Sequence, residues 1–242
     1  MSSGSGRSAW PSTPPLRAAD RMRIALVFDK TREDTFGIYF ERVMREAGIA
    51  FDHFWTSRAD QIPSGYDLYL RIDHGDYQAD MPARLRPRVF YVVDTHLPKS
   101  WARIRRIVPS YDLVCCVHRQ AARRIPRAVW MPVACEPALQ APAQRSERWD
   151  LAFVGTEGGV PRKFYLQALR ERYPNSYLGY APHTQIGTIY GQAKIGFNYS
   201  IRNEINMRML EVLCGGALLV TNRAPTEELA ALGLLERRHF LM

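Results

Sequence analysis

The chain contains 242 residues, which is enough for one large domain or two small ones with a substantial core. Its formal net charge of +9 is compatible with a nucleic acid, an anionic membrane surface or a phosphorylated ligand, so charge alone selects no function. The four cysteines form neither a disulfide framework nor a CxxC metal-binding pattern, which fits a reducing cytoplasm. No apolar run approaches the roughly 18 residues of a membrane span, and nothing resembles a secretory signal, so we expect a cytoplasmic protein.

The chain opens with a segment that lacks a hydrophobic period and is rich in Ser, Gly and Pro, so we expect a disordered lead-in at 1–21. An apolar strand from Arg23 to Asp29 and a helix from about Glu33 to Glu46 then predict a Rossmann-like unit. The turn between them reads Asp29-Lys30-Thr31-Arg32 rather than GxGxxG, which argues against an NAD-binding domain.

Further strands and shorter helical segments alternate through the first half. The strands are predicted at Phe51 to Thr56, Asp67 to Ile72, Arg88 to Val93 and Leu113 to Val117. The helical segments include Trp101 to Ile107 and Arg119 to Ile125. This alternation predicts a mostly parallel sheet covered on both faces, and in such sheets ligands collect at the carboxyl ends of the strands.

Two Asp/His pairs follow predicted strands at that edge, Asp73-His74 and Asp94-Thr95-His96. A His with a near-neutral pKa, held by a carboxylate, can remove a proton from an acceptor hydroxyl, so Asp94 and His96 are the candidate catalytic residues. The same two residues would suit a metal site, but two ligands are too few and the sequence shows no third. Capping of a loop or of the following helix is the structural alternative.

The middle of the chain is conspicuously basic and is flanked by Trp101 and Trp130. Its arginines are Arg103, Arg105, Arg106, Arg119, Arg123, Arg124 and Arg127. They could form a surface that docks an anionic acceptor or membrane, or one that binds nucleic acid through phosphates and stacking. Solvated helix faces are the simpler explanation, and no recognised nucleic-acid module is present. We therefore expect no nucleic-acid partner and leave peripheral contact with an anionic surface open.

A composition shift at Pro137 to Arg148 indicates an interdomain linker. The predicted division is an N-terminal domain at 22–136, a linker at 137–149 and a C-terminal domain at 150–242. The second domain opens with a strand from Asp150 to Val154 that runs into Gly155-Thr156, and a further strand is predicted near Ser176 to Gly179. Small residues at such a turn let a phosphate approach the backbone, and the basic pair Arg162-Lys163 in the following helix can neutralise diphosphate charge. An exposed first helical turn is the alternative for that pair.

The stretch from Lys194 to Asn222 has the pattern of a strand, helix, strand unit. Its parts are a strand at Lys194 to Tyr199, a helix beginning near Asn203, a stop at Gly215-Gly216 and a strand at Ala217 to Thr221. Free N–H groups at the helix start favour a phosphate, and Glu211, about two turns further along the polar side, can accept hydrogen bonds from a ribose diol. The alternative is a solvated ladder of Glu204, Arg208 and Glu211 with Asn203 as a simple N-cap.

The residues N-E-I-N-M-R-M-L-E-V-L-C-G-G-A-L-L-V-T-N of this stretch closely resemble the nucleotide-sugar-binding segment of GT-B glycosyltransferases, with the spore-maturation (CgeB-type) glycosyltransferase-like family as the best match. D-T-H after the fourth predicted strand, and D-L-A-F-V-G-T with its following R-K, are similar to the matching segments of that family. In related GT-B families a pair of Glu residues flanks this helix, and the second binds the donor ribose. Glu211 matches the second Glu, whereas the first position falls on Asn203.

The resemblance implies an α/β protein with two Rossmann-like domains facing a cleft, the GT-B fold. It further implies hexosyl transfer without metal or cofactor from a nucleotide-sugar donor to an acceptor that the sequence does not identify. The donor-binding residues would be Gly155, Thr156, Arg162, Lys163, Asn198, Asn203, Asn206, Arg208 and Glu211. GT-B relatives continue with more helix beyond the position of Met242, so we expect the C-terminal end to be truncated. A non-catalytic nucleotide- or sugar-binding protein of the same fold is the second hypothesis, and a basic nucleic-acid-binding domain is the third.

Overall fold

A computed structural model describes residues 22–31, 35–142, 144 and 146–242 of the chain. The predicted lead-in at 1–21 lies outside these ranges, as do residues 33 and 34, the first of the predicted first helix. Among the described residues, none of the helices combines the length and the apolar character needed to cross a membrane.

The first half of the chain forms a six-stranded parallel sheet. Its strands are β1 (Arg23–Val27), β2 (Ala50–Phe54), β3 (Leu68–Ile72), β4 (Arg88–Val92), β5 (Leu113–Cys116) and β6 (Ala128–Trp130), in the order β2-β1-β3-β4-β5-β6. The helices are α1 (Phe36–Glu46), α2 (Pro98–Ile107) and α3 (Arg119–Ala122). Successive residues of a strand point to opposite faces, so Ile24 and Leu26 belong to one buried cluster and Ala25 and Val27 to another. Burial on both faces explains why inner strands such as β1, β3 and β4 are nearly continuous apolar runs.

The second half forms a five-stranded parallel sheet. A short helix, α4 (Pro137–Gln140), precedes it. The strands are β7 (Trp149–Val154), β8 (Ser176–Gly179), β9 (Ala193–Asn198), β10 (Leu218–Thr221) and β11 (Phe240–Leu241), in the order β11-β10-β9-β7-β8. The helices are α5 (Arg162–Arg172), α6 (His183–Gly191), α7 (Met207–Gly215) and α8 (Thr226–Ala231).

The two halves pack against each other through apolar and polar contacts. One buried cluster contains residues of both sheets, including Tyr91 of β4 and Val154 of β7. Polar contacts between described residues also cross from one half to the other. His96 Nε2 lies 2.9 Å from Glu204 Oε2, and the backbone N–H of Arg119 donates to Glu228 Oε2 at 3.4 Å.

The strands predicted from apolar runs are confirmed, with ends shifted by no more than two residues. β6 and β11 are not predicted by the sequence, and α4 lies inside the segment predicted as a linker. These three elements are short, so they show no complete hydrophobic period.

The helix predicted to begin near Asn203 begins at Met207, so that prediction is wrong. Asn203 instead ends a 3-10 turn, Ile201–Asn203, and has a φ of +59°. A left-handed residue cannot continue a right-handed helix, and Asn tolerates this conformation better than most residues. The N-cap is Asn206, whose side chain accepts a hydrogen bond from the Met209 backbone N–H at 3.3 Å.

Close packing of α7 on the second sheet gives a testable consequence at Gly196 in β9. A Cβ at this position would overlap the side chain of Val212, which is fully buried. We expect Gly196→Ala to lower the free energy of unfolding by about 1 to 3 kcal/mol, because overpacking forces side chains and backbone to shift. Urea unfolding measures the change, and Gly179→Ala is the control because a Cβ there meets nothing within 4 Å. Equal stability of the two variants would contradict the packing.

Candidate active site

A cavity of about 320 Å³ lies between the two sheets, at the carboxyl ends of strands from both halves. We call it the first cavity. Asp94 and His118, which follow β4 and β5, line one side. Gly155 and Thr156, which follow β7, line the opposite side together with side chains of α7. Both charged and apolar side chains line it, as in small-molecule sites at strand ends.

The guanidinium of Arg208 is fixed at the ends of two neighbouring strands. Its Nε donates a hydrogen bond to the Val154 carbonyl oxygen at 2.7 Å, and its Nη1 donates to Asn198 Oδ1 at 3.2 Å. Asn198 is fully buried, and its amide donates to Thr221 Oγ1 at 3.0 Å. Gly155 has a φ of +146° and lies so close that a Cβ would overlap the Arg208 guanidinium. The glycine therefore allows Arg208 to lie against the backbone at the cavity wall.

A second guanidinium, that of Arg162, lines the same cavity. Its Nε donates to the Glu157 carbonyl oxygen at 2.9 Å. Burial lowers the pKa of Arg162 and the charge of Arg208 lowers it further, while the Glu204 carboxylate opposes both effects. In the part of the chain that the structure describes, no carboxylate forms an ion pair with either guanidinium. Two such charges at one wall suit an anion with several oxygens, such as a diphosphate.

Glu211 lies one turn further along α7 and is buried. Its Oε1 accepts a hydrogen bond from Gln140 Nε2 at 3.0 Å. Gln140 is fully buried, and its Oε1 accepts from the Glu136 backbone N–H at 2.7 Å. These contacts hold the Glu211 carboxylate at the wall of the first cavity, where it can accept hydrogen bonds from hydroxyl groups.

A second cavity, of about 430 Å³, adjoins the first and shares His118 and Glu204 with it. His96 Nε2 lies 2.9 Å from Glu204 Oε2. His118 Nδ1 lies 2.7 Å from Thr95 Oγ1, and the rings of His96 and His118 meet edge to face with centroids 5.0 Å apart. Two imidazoles and one carboxylate therefore meet where the cavities join.

The surroundings of this cluster set its charges. Burial, with the charge of neighbouring His96, lowers the pKa of His118 to about 4, so His118 is neutral at physiological pH. Burial alone would raise the pKa of Glu204, but the hydrogen bond and charge of His96 outweigh burial and hold that pKa below its usual value. Glu204 is therefore a carboxylate, and the nearby imidazole of His118 is neutral.

Part of the basic segment also lies at the second cavity. Arg124 packs over the Trp101 ring at 5.1 Å, and both side chains line that cavity. Arg119 packs over the Trp130 ring at 5.4 Å. Both tryptophans are thus covered by a guanidinium, which a nucleobase would have to displace before it could stack there.

The structure brings most predicted donor residues and one predicted catalytic residue to the first cavity. Those that line it are Asp94, Gly155, Thr156, Arg162, Asn206, Arg208 and Glu211. His96 and Asn203 line the second cavity instead. Asn198 lies behind Arg208 and holds it, while Lys163 is exposed on α5 and lines neither cavity. The predicted pair Asp94 and His96 is therefore divided between the two cavities.

Gln140 and His118 are functional-site candidates that the sequence analysis missed. Gln140 lies in the predicted linker, where the Pro- and Ala-rich composition gives no sign of a buried helical turn. His118 follows β5 as Asp94 follows β4, with one residue between strand and side chain. The rule that ligands bind at the carboxyl ends of parallel strands would have indicated it.

The second half of the chain is similar to a known protein family. Residues 133–238 match the family model described as Glycosyl transferase-like. This segment contains Gly155, Arg162, Arg208 and Glu211, whereas Asp94 and His96 precede it. No curated protein has significant sequence similarity to the chain.

Solved structures share the architecture of both halves. An alpha-glucosyltransferase in complex with UDP and a 13-mer DNA superposes with a TM-score of 0.56 and 10% identity, over 83% of this chain and 79% of that chain. An alpha-glucosyltransferase with UDP-glucose and DNA containing an abasic site gives 0.60 and 11%, over 91% and 83%. The DNA-modifying enzyme beta-glucosyltransferase gives 0.55 and 14%, over 83% and 79%. This chain has the GT-B fold.

The two walls of the first cavity come from different halves of the chain. The wall with the two guanidiniums and Glu211 lies in the segment that also matches the glycosyl transferase-like family. The wall with Asp94 and His118 lies in the first half, outside the matched segment. These three structures share at most 14% identity with the chain, so they show its fold alone.

Proposed function

We propose that this chain is a glycosyltransferase of the spore-maturation type, which transfers a hexosyl group from a nucleoside diphosphate sugar to an acceptor hydroxyl. The observation that carries the proposal is the convergence of Arg162 and Arg208 on the first cavity, with no pairing carboxylate among the described residues. A diphosphate supplies the oxygens that two guanidiniums need. The α7 N-terminus, capped by Asn206, adds backbone N–H groups that favour the same anion.

The position of Glu211 supports a nucleotide rather than an inorganic anion. Arg208 and Glu211 are three residues apart on α7, which separates them by about 4.5 Å along the helix axis. In a nucleoside diphosphate the ribose adjoins the phosphates, so a carboxylate at this distance can accept hydrogen bonds from the ribose hydroxyls. All three reported structural neighbours were studied with UDP or UDP-glucose, so uridine donors are the first to test.

The proposed transfer breaks the bond between the anomeric carbon and the β-phosphate oxygen, and it forms a bond from that carbon to the acceptor oxygen. The electron pair of the broken bond leaves with the nucleoside diphosphate, whose added charge Arg162 and Arg208 would stabilise. If the configuration inverts, Asp94 at the first cavity takes the acceptor proton; if it is retained, the leaving phosphate oxygen takes it. The second cavity provides room for the acceptor.

Thermal unfolding of the full chain with UDP, GDP and ADP, and with their glucose conjugates, tests the proposal. A ligand that binds only the folded state raises Tm, and at about 100 times its Kd it adds about 2.7 kcal/mol of stability. We expect one nucleoside diphosphate to raise Tm. We also expect the protein to release that nucleotide from the matching nucleotide sugar. A nucleotide sugar that binds but releases no nucleotide, even when sugar acceptors or duplex DNA are added, would support the non-catalytic alternative. No Tm change with any nucleotide would refute the proposed donor site.

A further inference from the structure

Two imidazoles and a carboxylate meet at the boundary between the two cavities. One potential ligand atom from each of His96, His118 and Glu204 lies within 4.8 Å of the others. The two histidines follow the neighbouring strands β4 and β5, while Glu204 lies just before α7 in the other half. Sequence spacing does not reveal this group, because the fold brings together residues that are far apart in the chain.

His118 shows that the group is more than an ion pair between His96 and Glu204. It is nine-tenths buried, with 9% of its surface exposed. Its Nδ1 lies 2.7 Å from Thr95 Oγ1, whereas its Nε2 has no hydrogen-bond partner among the residues that the structure describes. A buried polar atom without a partner is uncommon and destabilises the folded state. A cation bound at this nitrogen would remove that cost.

We propose that His96, His118 and Glu204 bind a transition-metal ion of the Zn²⁺ class. Two imidazole nitrogens and one carboxylate oxygen are ligands that Zn²⁺ takes at about 2.0 to 2.2 Å, with a fourth position left for water or substrate. Mg²⁺ and Ca²⁺ prefer sites built from oxygen atoms. The Thr95 hydroxyl at the other nitrogen of His118 is the kind of outer contact that orients a metal-binding imidazole.

Binding of the ion requires only small movements. His96 Nε2 and Glu204 Oε2 are 2.9 Å apart, and the ligands of a tetrahedral zinc ion stand about 3.3 Å apart, so the ion would replace their direct hydrogen bond. All three side chains line the second cavity, which gives the ion a route of entry. Because Glu204 belongs to the other half of the chain, the bound ion would connect the two halves across the cleft. The proposed metal ligands are different residues from Arg162 and Arg208, and two of them, His118 and Glu204, also line the first cavity.

Calorimetric titration of the chelator-treated full chain with Zn²⁺, and absorption spectroscopy with Co²⁺ in its place, test the site. We expect one equivalent to bind and a tetrahedral Co²⁺ spectrum without the intense bands of thiolate ligands. His118→Ala should weaken Zn²⁺ binding by about 100-fold or more, since loss of an outer contact already costs about 10- to 100-fold. His239→Asn is the matched control and should bind Zn²⁺ as the wild type does, because His239 lies outside both cavities.

A second variant tests the same site in case His118→Ala does not fold. Thr95→Val keeps all three ligands and removes only the hydroxyl beside His118, so we expect affinity for Zn²⁺ to fall by about 10-fold. Circular dichroism establishes which variants fold. The absence of Zn²⁺ binding to folded wild-type protein would overturn the proposal. Thiolate bands in the Co²⁺ spectrum, or unchanged affinity in the folded variants, would also overturn it. None of these readouts depends on nucleotide binding or on transferase activity.

Discussion

The Arg208→Gln variant is expected to bind the nucleoside diphosphate about 100-fold or more weakly than the wild type. A hydrogen bond between charged groups contributes about 1.5 to 3 kcal/mol, and a guanidinium can form two of them with a diphosphate. Gln retains a polar side chain but has no charge and cannot reproduce the forked geometry. Isothermal titration with the nucleotide that raises Tm measures the loss.

Two further variants test whether binding depends on the forked shape of Arg208 and on its location, rather than on positive charge alone. Arg208→Lys keeps the positive charge and loses the fork, so we expect its affinity to fall between those of the wild type and Arg208→Gln. Arg172→Gln removes an exposed arginine at the end of α5, outside both cavities, and should leave nucleotide affinity unchanged. If Arg208→Gln binds the nucleotide as tightly as the wild type, Arg208 does not bind the diphosphate and the proposed donor site is contradicted.

Arg208 also stabilises the fold, so its effect on binding has to be separated from its effect on folding. Its removal leaves the Val154 carbonyl oxygen and the buried Asn198 Oδ1 without their donor. A buried acceptor that loses its partner destabilises the protein by about 1 to 3 kcal/mol. Urea unfolding should show this loss, and binding is then compared at a temperature where each variant remains folded.

The main strands of both sheets can be predicted from sequence because parallel strands buried on both faces appear as apolar runs. β6, β11 and α4 cannot, since they contain three, two and four residues. β11 pairs with β10 at the edge of its sheet, and its position depends on that tertiary contact rather than on its own composition.

The candidate site was partly predictable for a similar reason. Helical spacing places Arg208 and Glu211 on one side of a helix, and both line the first cavity. The start of that helix was not predictable, because Asn203 and Asn206 are equally good N-cap residues by type and differ in backbone conformation. Gln140 contacts Glu211 across 71 positions of sequence, a separation that no local period reports.

Glu211→Gln is expected to weaken nucleotide binding by about 10- to 100-fold. A carboxylate accepts hydrogen bonds through both oxygens, whereas an amide offers one acceptor and places a donor opposite the ribose hydroxyls. Each hydrogen bond to a charged group contributes about 1.5 to 3 kcal/mol. Gln has nearly the same shape, so the fold should be retained. Glu171→Gln, on the exposed side of α5, is the matched control and should bind the nucleotide as the wild type does.

A 2′-deoxynucleoside diphosphate shows whether Glu211 contacts the ribose. If it does, the wild type should prefer the ribonucleotide by about 10-fold or more, because the deoxy ligand cannot donate from the missing hydroxyl. Glu211→Gln should lose most of that preference, since the variant and the deoxy ligand each remove one partner of the same interaction. If the variant instead weakens both ligands equally and keeps the preference, Glu211 does not bind the 2′-hydroxyl. Its carboxylate would then serve to hold Gln140 and α4 against α7.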